Sequence, residues 1–254
     1  MPGGGPGGSS SSEVVYAGAT EITSASAQDG KSYTSSAADQ SALMISTSDD
    51  VTVTGFTLSK SGDSDGGDNC NFYGQNAALL VKGGTTTTIS GGTYTSNGLG
   101  SPAIYSTADI TASNATLVSN LSEGVCIEGL NSITLNNCNL TANNTKCNGN
   151  ATFLDSIMIY QSMSGDAASG TSSFNMTGGS LTSKSGHVFH VTNTNAKGDT
   201  VSTEVGTVSV TLDSTSTWTL TGDSYVASFT GSASNVISNG YTLYVNGTAL
   251  AGTK

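Results

Sequence analysis

The sequence predicts an all-β protein whose architecture is a right-handed parallel β-helix, a three-sided solenoid of about 7–9 coils. Three observations lead to this prediction. A six-residue unit recurs along the chain, a short apolar segment lies upstream of each copy, and the closest copies are 23 residues apart. An antiparallel sandwich would also contain short strands, but it would not repeat one corner unit at the same place in every repeat.

The six-residue unit reads apolar, small polar, Gly or Asn, variable, small polar, then Leu or Tyr. Its third position always holds Gly or Asn, the residues that most easily adopt left-handed backbone angles. Each unit is therefore predicted to form two short strands that meet at a sharp corner, with its first and last residues pointing inward. The copies are Val53–Leu58, Ile89–Tyr94, Ala112–Leu117, Leu135–Leu140 and Met176–Leu181.

The upstream segments are predicted strands of about five residues. They are Ala42–Ser46, Ala78–Lys82, Pro102–Ser106, Gly124–Glu128, Ser156–Tyr160 and His187–Val191. One such strand and one bent pair give three strands per coil, which fits the 23-residue spacing from Tyr94 to Leu117 and from Leu117 to Leu140. Longer gaps hold insertions at 62–76 and 146–155, which belong on one face of a solenoid.

The domain organisation follows from composition. Residues 1–12 form a flexible Gly/Pro/Ser linker. Residues 13–254 form a single β-helix domain, whose final coils or cap begin at about residue 205, where strand character persists and the repeated unit is lost. The start shows neither a basic region nor the apolar core of a secretory signal.

Charge excludes two classes of partner. The net charge is −11, and the chain has seven Lys and no Arg. Nucleic-acid binding needs basic patches, and so does binding to anionic lipid surfaces, so neither partner is expected. No run of 18 apolar residues occurs, and no membrane span is expected.

The upstream strands are apolar on both faces, which indicates that both faces are covered. One row fills the interior: Leu43, Leu79, Ala103, Val125, Ile157 and Val188. The other row is predicted to form an outer apolar stripe: Met44, Leu80, Ile104, Cys126, Met158 and Phe189. Such a stripe is either covered by the chain's own loops or tail, or it contacts a partner or a second copy of the chain. Unpaired strands at open coil ends favour end-to-end stacking.

An enzymatic alternative rests on acidic residues. A glycoside hydrolase needs two carboxyl groups about 5–10 Å apart. At the ends of the aligned strands stand Ser46, Lys82, Ser106, Glu128, Tyr160 and Val191. Only Glu128 is acidic among them, and Glu123 or Asp155, which precede neighbouring strands, would have to approach it. Solvated loop acids are the competing interpretation.

The first insertion offers two further candidate sites. Asp63, Asp65, Asp68 and Asn69 supply clustered oxygen ligands beside glycines, a pattern that suits Ca²⁺ but is not an EF-hand. Phe72 and Tyr73 beside them are a candidate sugar-stacking platform. Calcium is the only cofactor considered, and a solvated acidic loop is the alternative.

Four cysteines allow three disulfide pairings. Cys70 and Cys147 lie in polar loops and are the favoured pair, whereas Cys126 and Cys138 resemble small apolar strand residues. Four reduced thiols remain the alternative.

Four stretches carry a resemblance to a known family: KSGDSDGGDNCNFYGQNAALLV, TSNGLGSPAIYSTADI, GVCIEGLNSITLNNC and IMIYQSMSGDA. They resemble the β-helical repeat regions of large adhesin-like surface proteins of anaerobic gut bacteria and archaea, over roughly residues 40 to 195. The resemblance implies an extracellular, adhesin-like or carbohydrate-binding module.

Three functions follow as hypotheses. The first is a non-enzymatic secreted or cell-surface module for adhesion, glycan contact or self-assembly. The second is a polysaccharide-degrading β-helix enzyme of the glycoside hydrolase type. The third is a structural filament subunit. Glycans or another copy of the chain are the expected partners.

Overall fold

The structure is a computed structural model that describes residues 15–64, 67–83, 86–147, 153–160, 172–188 and 208–254. It is nearly all β, with 4% helix, and its sheets are parallel, one of them strongly curled like half of a barrel. The prediction of an all-β protein with parallel strands is confirmed. The predicted linker at residues 1–12 lies outside the described residues.

Sheet A, as we name the first sheet, has six parallel strands that neighbour one another in chain order. Its strands are β1 (Glu21–Ile22), β4 (Leu43–Ser46), β7 (Leu79–Lys82), β10 (Ile104–Ser106), β13 (Val125–Glu128) and β15 (Ile157–Tyr160). Each strand is followed in the chain by strands of the second sheet, so sheet A is formed by segments that are far apart in sequence.

Sheet B has two ladders of parallel strands that join in two long strands. The first ladder is β2 (Ser26–Asp29), β5 (Val51–Thr54), β8 (Thr86–Ser90) and β11 (Asp109–Ser113). The second is β3 (Ser32–Ser35), β6 (Thr57–Lys60), β9 (Thr93–Ser96) and β12 (Thr116–Ser119). The long strands β14 (Ser132–Ala142) and β16 (Ser173–Ser183) continue both ladders. We call one strand of sheet A with the sheet B strands that follow it a layer, and the described strands form six layers.

The corner between the two ladders has the predicted backbone. The third residue of every repeated unit lies in the left-handed region, with φ of 62°, 67°, 56°, 56° and 67° at Gly55, Gly91, Asn114, Asn137 and Gly178. The five units stack in register, and Leu117 pairs with both Tyr94 and Leu140. A 23-residue spacing therefore equals one layer. A sixth copy, Gln28–Tyr33, was missed by the sequence analysis and pairs with Val53–Leu58 in the same way.

The interior between the two sheets is an apolar core. Alternate strand residues point into it, because successive side chains of a strand face opposite ways. Among its completely buried members are Leu43, Leu79, Ile104 and Val125 from sheet A, and Val53, Ile89, Tyr94, Leu117 and Leu135 from sheet B.

Both predicted insertions lie at the same corner, between sheet B and the next strand of sheet A. The first connects β6 to β7 and contains α1 (Asp68–Tyr73). The second connects β14 to β15. The expectation that insertions share one face agrees with this placement.

Residues 208–254 form three small sheets with their own apolar core around Leu220, Val226, Val236 and Leu243. The strands are β17 (Ser209–Thr211), β18 (Trp218–Thr219), β19 (Ser224–Val226), β20 (Ser228–Thr230), β21 (Val236–Ile237), β22 (Leu243–Val245) and β23 (Thr248–Ala249). Parallel partners such as Ser209 and Ser228 are 19 residues apart, and only β22 and β23 pair antiparallel within this segment. A short 3-10 turn covers Ala233–Asn235.

Candidate functional site

The outer apolar stripe of sheet A is covered by the chain itself. Met44, Leu80 and Cys126 are at most 6% exposed and pack with Ala77 and Tyr16. Met158 is partly buried against them, and Phe189 lies outside the described residues. In the described residues, the structure therefore supports the interpretation that the chain's own loops cover the stripe.

One member of the predicted stripe was wrong. Ile104 pairs with Leu79 and points into the core, whereas Tyr105 pairs with Leu80 and belongs to the stripe. The error is a one-residue shift, which moves every side chain of a strand to its other face. Ser106, which sequence placed on the outside, is buried, and the backbone of Ala108 satisfies its hydroxyl.

The connection between β6 and β7 forms the cover. Gly74 ends α1 with φ of 64°, and a Cβ atom there would collide with the ring of Tyr105. Tyr73 makes an edge contact with Tyr16, with ring centroids 6.5 Å apart. Close approach of backbone to an aromatic ring explains why glycine stands at this position.

A polar row follows the stripe on the same outer face. Ser46 pairs with Lys82, and the register then places Thr107 beside Lys82 and Glu128 beside Thr107. In the layer of β10, the residue that belongs to this polar row is therefore Thr107 and not Ser106. The Lys82 ammonium lies 4.4 Å from the centroid of the Tyr16 ring.

Two shallow depressions follow this row and share Thr107. The first is lined by Ser46, Thr47, Ser48, Lys82 and Gly83, with Thr107. The second is lined by Glu128, Gly129, Leu130 and Asn131, with Thr107. We call the two together the outer groove. Its walls carry hydroxyl and amide groups beside an about equal share of apolar surface, so it can both hydrogen-bond to a ligand and pack against it.

Two of the three candidate catalytic carboxyl groups lie together. Val125 pairs with Ile157, and Gly124 N donates to Ser156 O at 2.8 Å, so Glu123 and Asp155 face each other on neighbouring strands. Asp155 in turn bridges to His187 in the next layer. Their side chains come from the ends of the connections that precede β13 and β15.

Burial dominates the electrostatics of this pair. Desolvation raises the pKa of Asp155 from 3.8 to about 7, and the neighbouring Glu123 adds to the shift. Desolvation also raises the pKa of Glu123, although hydrogen bonds from Ser122 and from Asn144 Nδ2, at 2.8 Å, oppose it. Asp155 Oδ1 lies 3.4 Å from His187 Nδ1, in contact without an aligned hydrogen bond.

Glu128 does not join this pair. It is the last residue of β13, whereas Glu123 precedes the first, so the two carboxyl groups lie at opposite ends of one strand. The predicted pairing of Glu128 with Glu123 or Asp155 is wrong for that reason. Glu128 lines the outer groove, and the Glu123–Asp155 pair does not line either depression.

A buried lysine was missed by the sequence analysis. Lys60 is completely buried, and its Nζ donates to Ala37 O at 2.8 Å and to Gly62 O at 2.6 Å. Desolvation lowers its pKa from 10.5 to about 8, against the attraction of Asp39, Asp63 and Cys70. The lysine replaces the serines that stand at the same position in the adjoining layers, Ser35 and Ser96. It anchors the connections on either side of it.

The calcium and stacking candidates stay predictions. Asp63 accepts a hydrogen bond from Leu99 N at 2.8 Å, and Asn69 lies in α1. Asp65 and the side chains of Asp68 and Phe72 lie outside the described part of the chain. Among described residues, no group of three or more His, Cys, Asp or Glu is placed to hold a metal ion.

The predicted disulfide is not formed. All four cysteines are reduced, and none is joined to another. Cys70 lies beside Ser64, whereas Cys147 lies near Glu123 and Asp155, so the two belong to different connections. Cys126 and Cys138 are buried in β13 and β14, as expected for small apolar strand residues.

Fold and outer face together define an all-β protein of stacked parallel strands with a polar groove along one sheet. Comparison with known proteins gives no match, since no family model, curated protein or solved structure is significantly similar. The adhesin-like resemblance therefore stays a prediction from sequence. In the described part of the chain, no helix is long and apolar enough to cross a membrane.

Proposed function

We propose that this chain is a right-handed, three-sided parallel β-helix that acts outside the cell as a non-enzymatic surface module for adhesion through glycan contact. The stacking of six layers in register supports the β-helix. Right-handedness is expected because crossovers between parallel strands take that hand in nearly all proteins. The resemblance to adhesin-like repeat regions supports the location.

The observation that carries the function is the content of the outer groove. It presents hydroxyl and amide groups from successive layers, and the one acidic residue that lines it, Glu128, is only 5% exposed. A rigid stack of strands holds these groups at a fixed spacing, about 4.8 Å from layer to layer. Such a surface favours repeated hydrogen bonding over bond cleavage.

A glycan array, read with and without Ca²⁺, tests the proposal. We expect several glycans to be retained and to be recovered uncut. Silence across the whole array would contradict glycan contact and would favour self-assembly, which size-exclusion chromatography detects as polymers. Loss of retention on removing Ca²⁺ would support a role for the loop at Asp63.

A glycoside hydrolase is the second candidate, because Glu123 and Asp155 face each other on neighbouring strands. Against it, Glu123 is buried, with 6% exposed, and Asp155 is partly buried. Asn144 Nδ2 donates to the Glu123 carboxylate and to the backbone carbonyl of Asp155, which further limits access to the pair. Release of reducing ends from array-positive polysaccharides, abolished by Glu123→Gln, would establish the hydrolase. We expect no release from either protein.

A further inference from the structure

We infer that the outer groove binds one extended, uncharged polysaccharide chain that runs across the layers, with Thr107 at its centre. The inference rests on the proposed glycan contact and adds the site and the class of ligand. Three observations support the inference: the register of the polar row, the continuity of the two depressions and the charge of the molecule.

The strand register places equivalent side chains at regular intervals along the groove. Ser46, Lys82 and Glu128 end three strands of sheet A, and Thr107, which directly follows β10, takes the equivalent position in the layer between Lys82 and Glu128. Neighbouring strands lie about 4.8 Å apart, which is close to the advance of one sugar unit in an extended β-linked chain. A polymer of hydroxyl-bearing units can therefore meet an equivalent polar group at each step.

The two depressions form one path. Thr107 lines both of them, so the wall formed by Thr47, Ser48 and Gly83 continues into the wall formed by Gly129, Leu130 and Asn131. Leu130 is 39% exposed and supplies apolar surface for the C–H face of a sugar ring. Thr107 Oγ1 accepts from Gly83 N at 3.3 Å, which holds the central hydroxyl in place.

Charge selects a neutral chain. Among the residues that line the groove, Lys82 is the one cation and Glu128, which is 5% exposed, is the one acid, so the groove offers no row of charges of either sign. The whole molecule carries −11, which repels polyanions such as uronate polymers. Cations sufficient to neutralise a row of carboxylates are not present in the described groove.

The variant Thr107→Lys blocks the centre of the groove. A lysine is tolerated at this position of the sheet, because Lys82 occupies it one layer away. The matched control is Thr88→Lys, which adds the same charge at an exposed position of β8 in sheet B. Circular dichroism and thermal unfolding establish that both variants fold like the parent chain.

Isothermal titration with cellohexaose, an extended neutral six-sugar chain, is the measurement. We expect Thr107→Lys to weaken binding at least about tenfold and Thr88→Lys to leave it unchanged. We expect hexagalacturonate to bind the parent chain at least about tenfold more weakly than cellohexaose does.

The possible failures are distinguishable. If no glycan on the array is retained, the proposed function and this inference are both wrong. If glycans on the array are retained but cellohexaose does not bind, only the claim of a neutral extended ligand is wrong. Equal binding by the parent chain and Thr107→Lys overturns the groove as the site, while glycan contact stands. Tighter binding of hexagalacturonate overturns the argument from charge.

Discussion

At the scale of single residues, the corner between the two ladders of sheet B depends on left-handed backbone. Gly91 has φ of 67°, and a Cβ atom there would have no neighbour within 4 Å. Backbone strain is therefore the main effect of adding a side chain. We expect Gly91→Ala to lower the free energy of unfolding by about 1–2 kcal/mol, as measured by chemical denaturation.

Two variants control this prediction. Gly91→Asn should cost less than Gly91→Ala, because Asn114 and Asn137 adopt the same angles in the following layers. Gly222→Ala places a methyl in open space at a glycine without positive φ, so it should be neutral or slightly stabilising. Equal costs at Gly91 and Gly222 would show that left-handed strain is not the cause.

The corner was predictable because its requirement is local. Only Gly or Asn fits, and they recur at a fixed place in a short unit. The copy at Gln28–Tyr33 was missed because its first residue is polar; the hydroxyl of Tyr33 donates to Gln28 Oε1 at 3.2 Å, a contact that no one-dimensional pattern contains. Lys60 was missed for a related reason, because lysine side chains are usually exposed to solvent.

The pair Glu123 and Asp155 gives stability a dependence on pH. The pKa of Asp155 is raised in the folded chain from 3.8 to about 7, so the folded state binds a proton that the unfolded state has released in that interval. The contribution of Asp155 to stability is therefore fully present below about pH 3.8 and is lost as the pH rises to about 7. We expect this contribution to make the free energy of unfolding about 3 kcal/mol higher at about pH 5 than at about pH 8.

Chemical denaturation across this range tests the prediction with Asp155→Asn, which should flatten the dependence. His187, Glu123, Cys126 and Cys147 surround Asp155, so part of the slope remains in the variant. Asp109→Asn, at an exposed carboxylate that accepts from Ser132, should leave the slope unchanged. An unchanged slope in Asp155→Asn would mean that other groups produce it.

At the scale of elements, the connection between β6 and β7 is fixed to sheet A by a contact of backbone with a ring. Gly74→Ala introduces both left-handed strain and a collision with Tyr105. We expect it to cost more than about 2 kcal/mol and to speed hydrogen exchange in residues 67–78. Thermal unfolding and exchange mass spectrometry measure the two effects.

A double-mutant cycle separates the strain from the collision. In a Tyr105→Ala background the ring is absent and only the Cβ of residue 105 stays close to the new methyl group, so Gly74→Ala should cost less there than in the parent chain. Additive effects of the two substitutions would show that the ring and the connection do not interact.

The strands of sheet A could be located from sequence, but their exact register could not. Ser46 and Ser106 look equivalent in sequence, yet Ser106 is buried through its bond to Ala108. The apolar stripe was also identified, whereas its cover was not, since the cover depends on how an irregular connection folds back. From sequence, Glu128 was paired with Glu123 or Asp155, and the meeting of Glu123 with Asp155 was not predicted, although both were seen to precede neighbouring strands.

At the scale of the whole molecule, two apolar cores have no residue in common. One belongs to the six layers and the other to residues 208–254. In stacked repeats, stability comes from contacts with neighbouring layers. We expect a chain that ends at residue 207 to keep the hydrogen-exchange protection of β4 to β14, and a chain that ends at residue 119 to lose much of it.

The second truncation is the control, because it removes layers 5 and 6, whose strand β14 pairs with both ladders of sheet B. Collapse of protection throughout the 1–207 chain would show that the last 47 residues are required for the first layers to fold.

Layers 3, 4 and 5 share one sequence period, so the length of the stack is proportional to the number of repeats. Residues 23 positions apart pair along both ladders of sheet B, so a duplicated segment of that length would insert as one more step without turning any face. Each inserted step would lengthen the groove by about 4.8 Å. Gene duplication could thus set how many sugar units such a surface spans, independently of what each unit contacts.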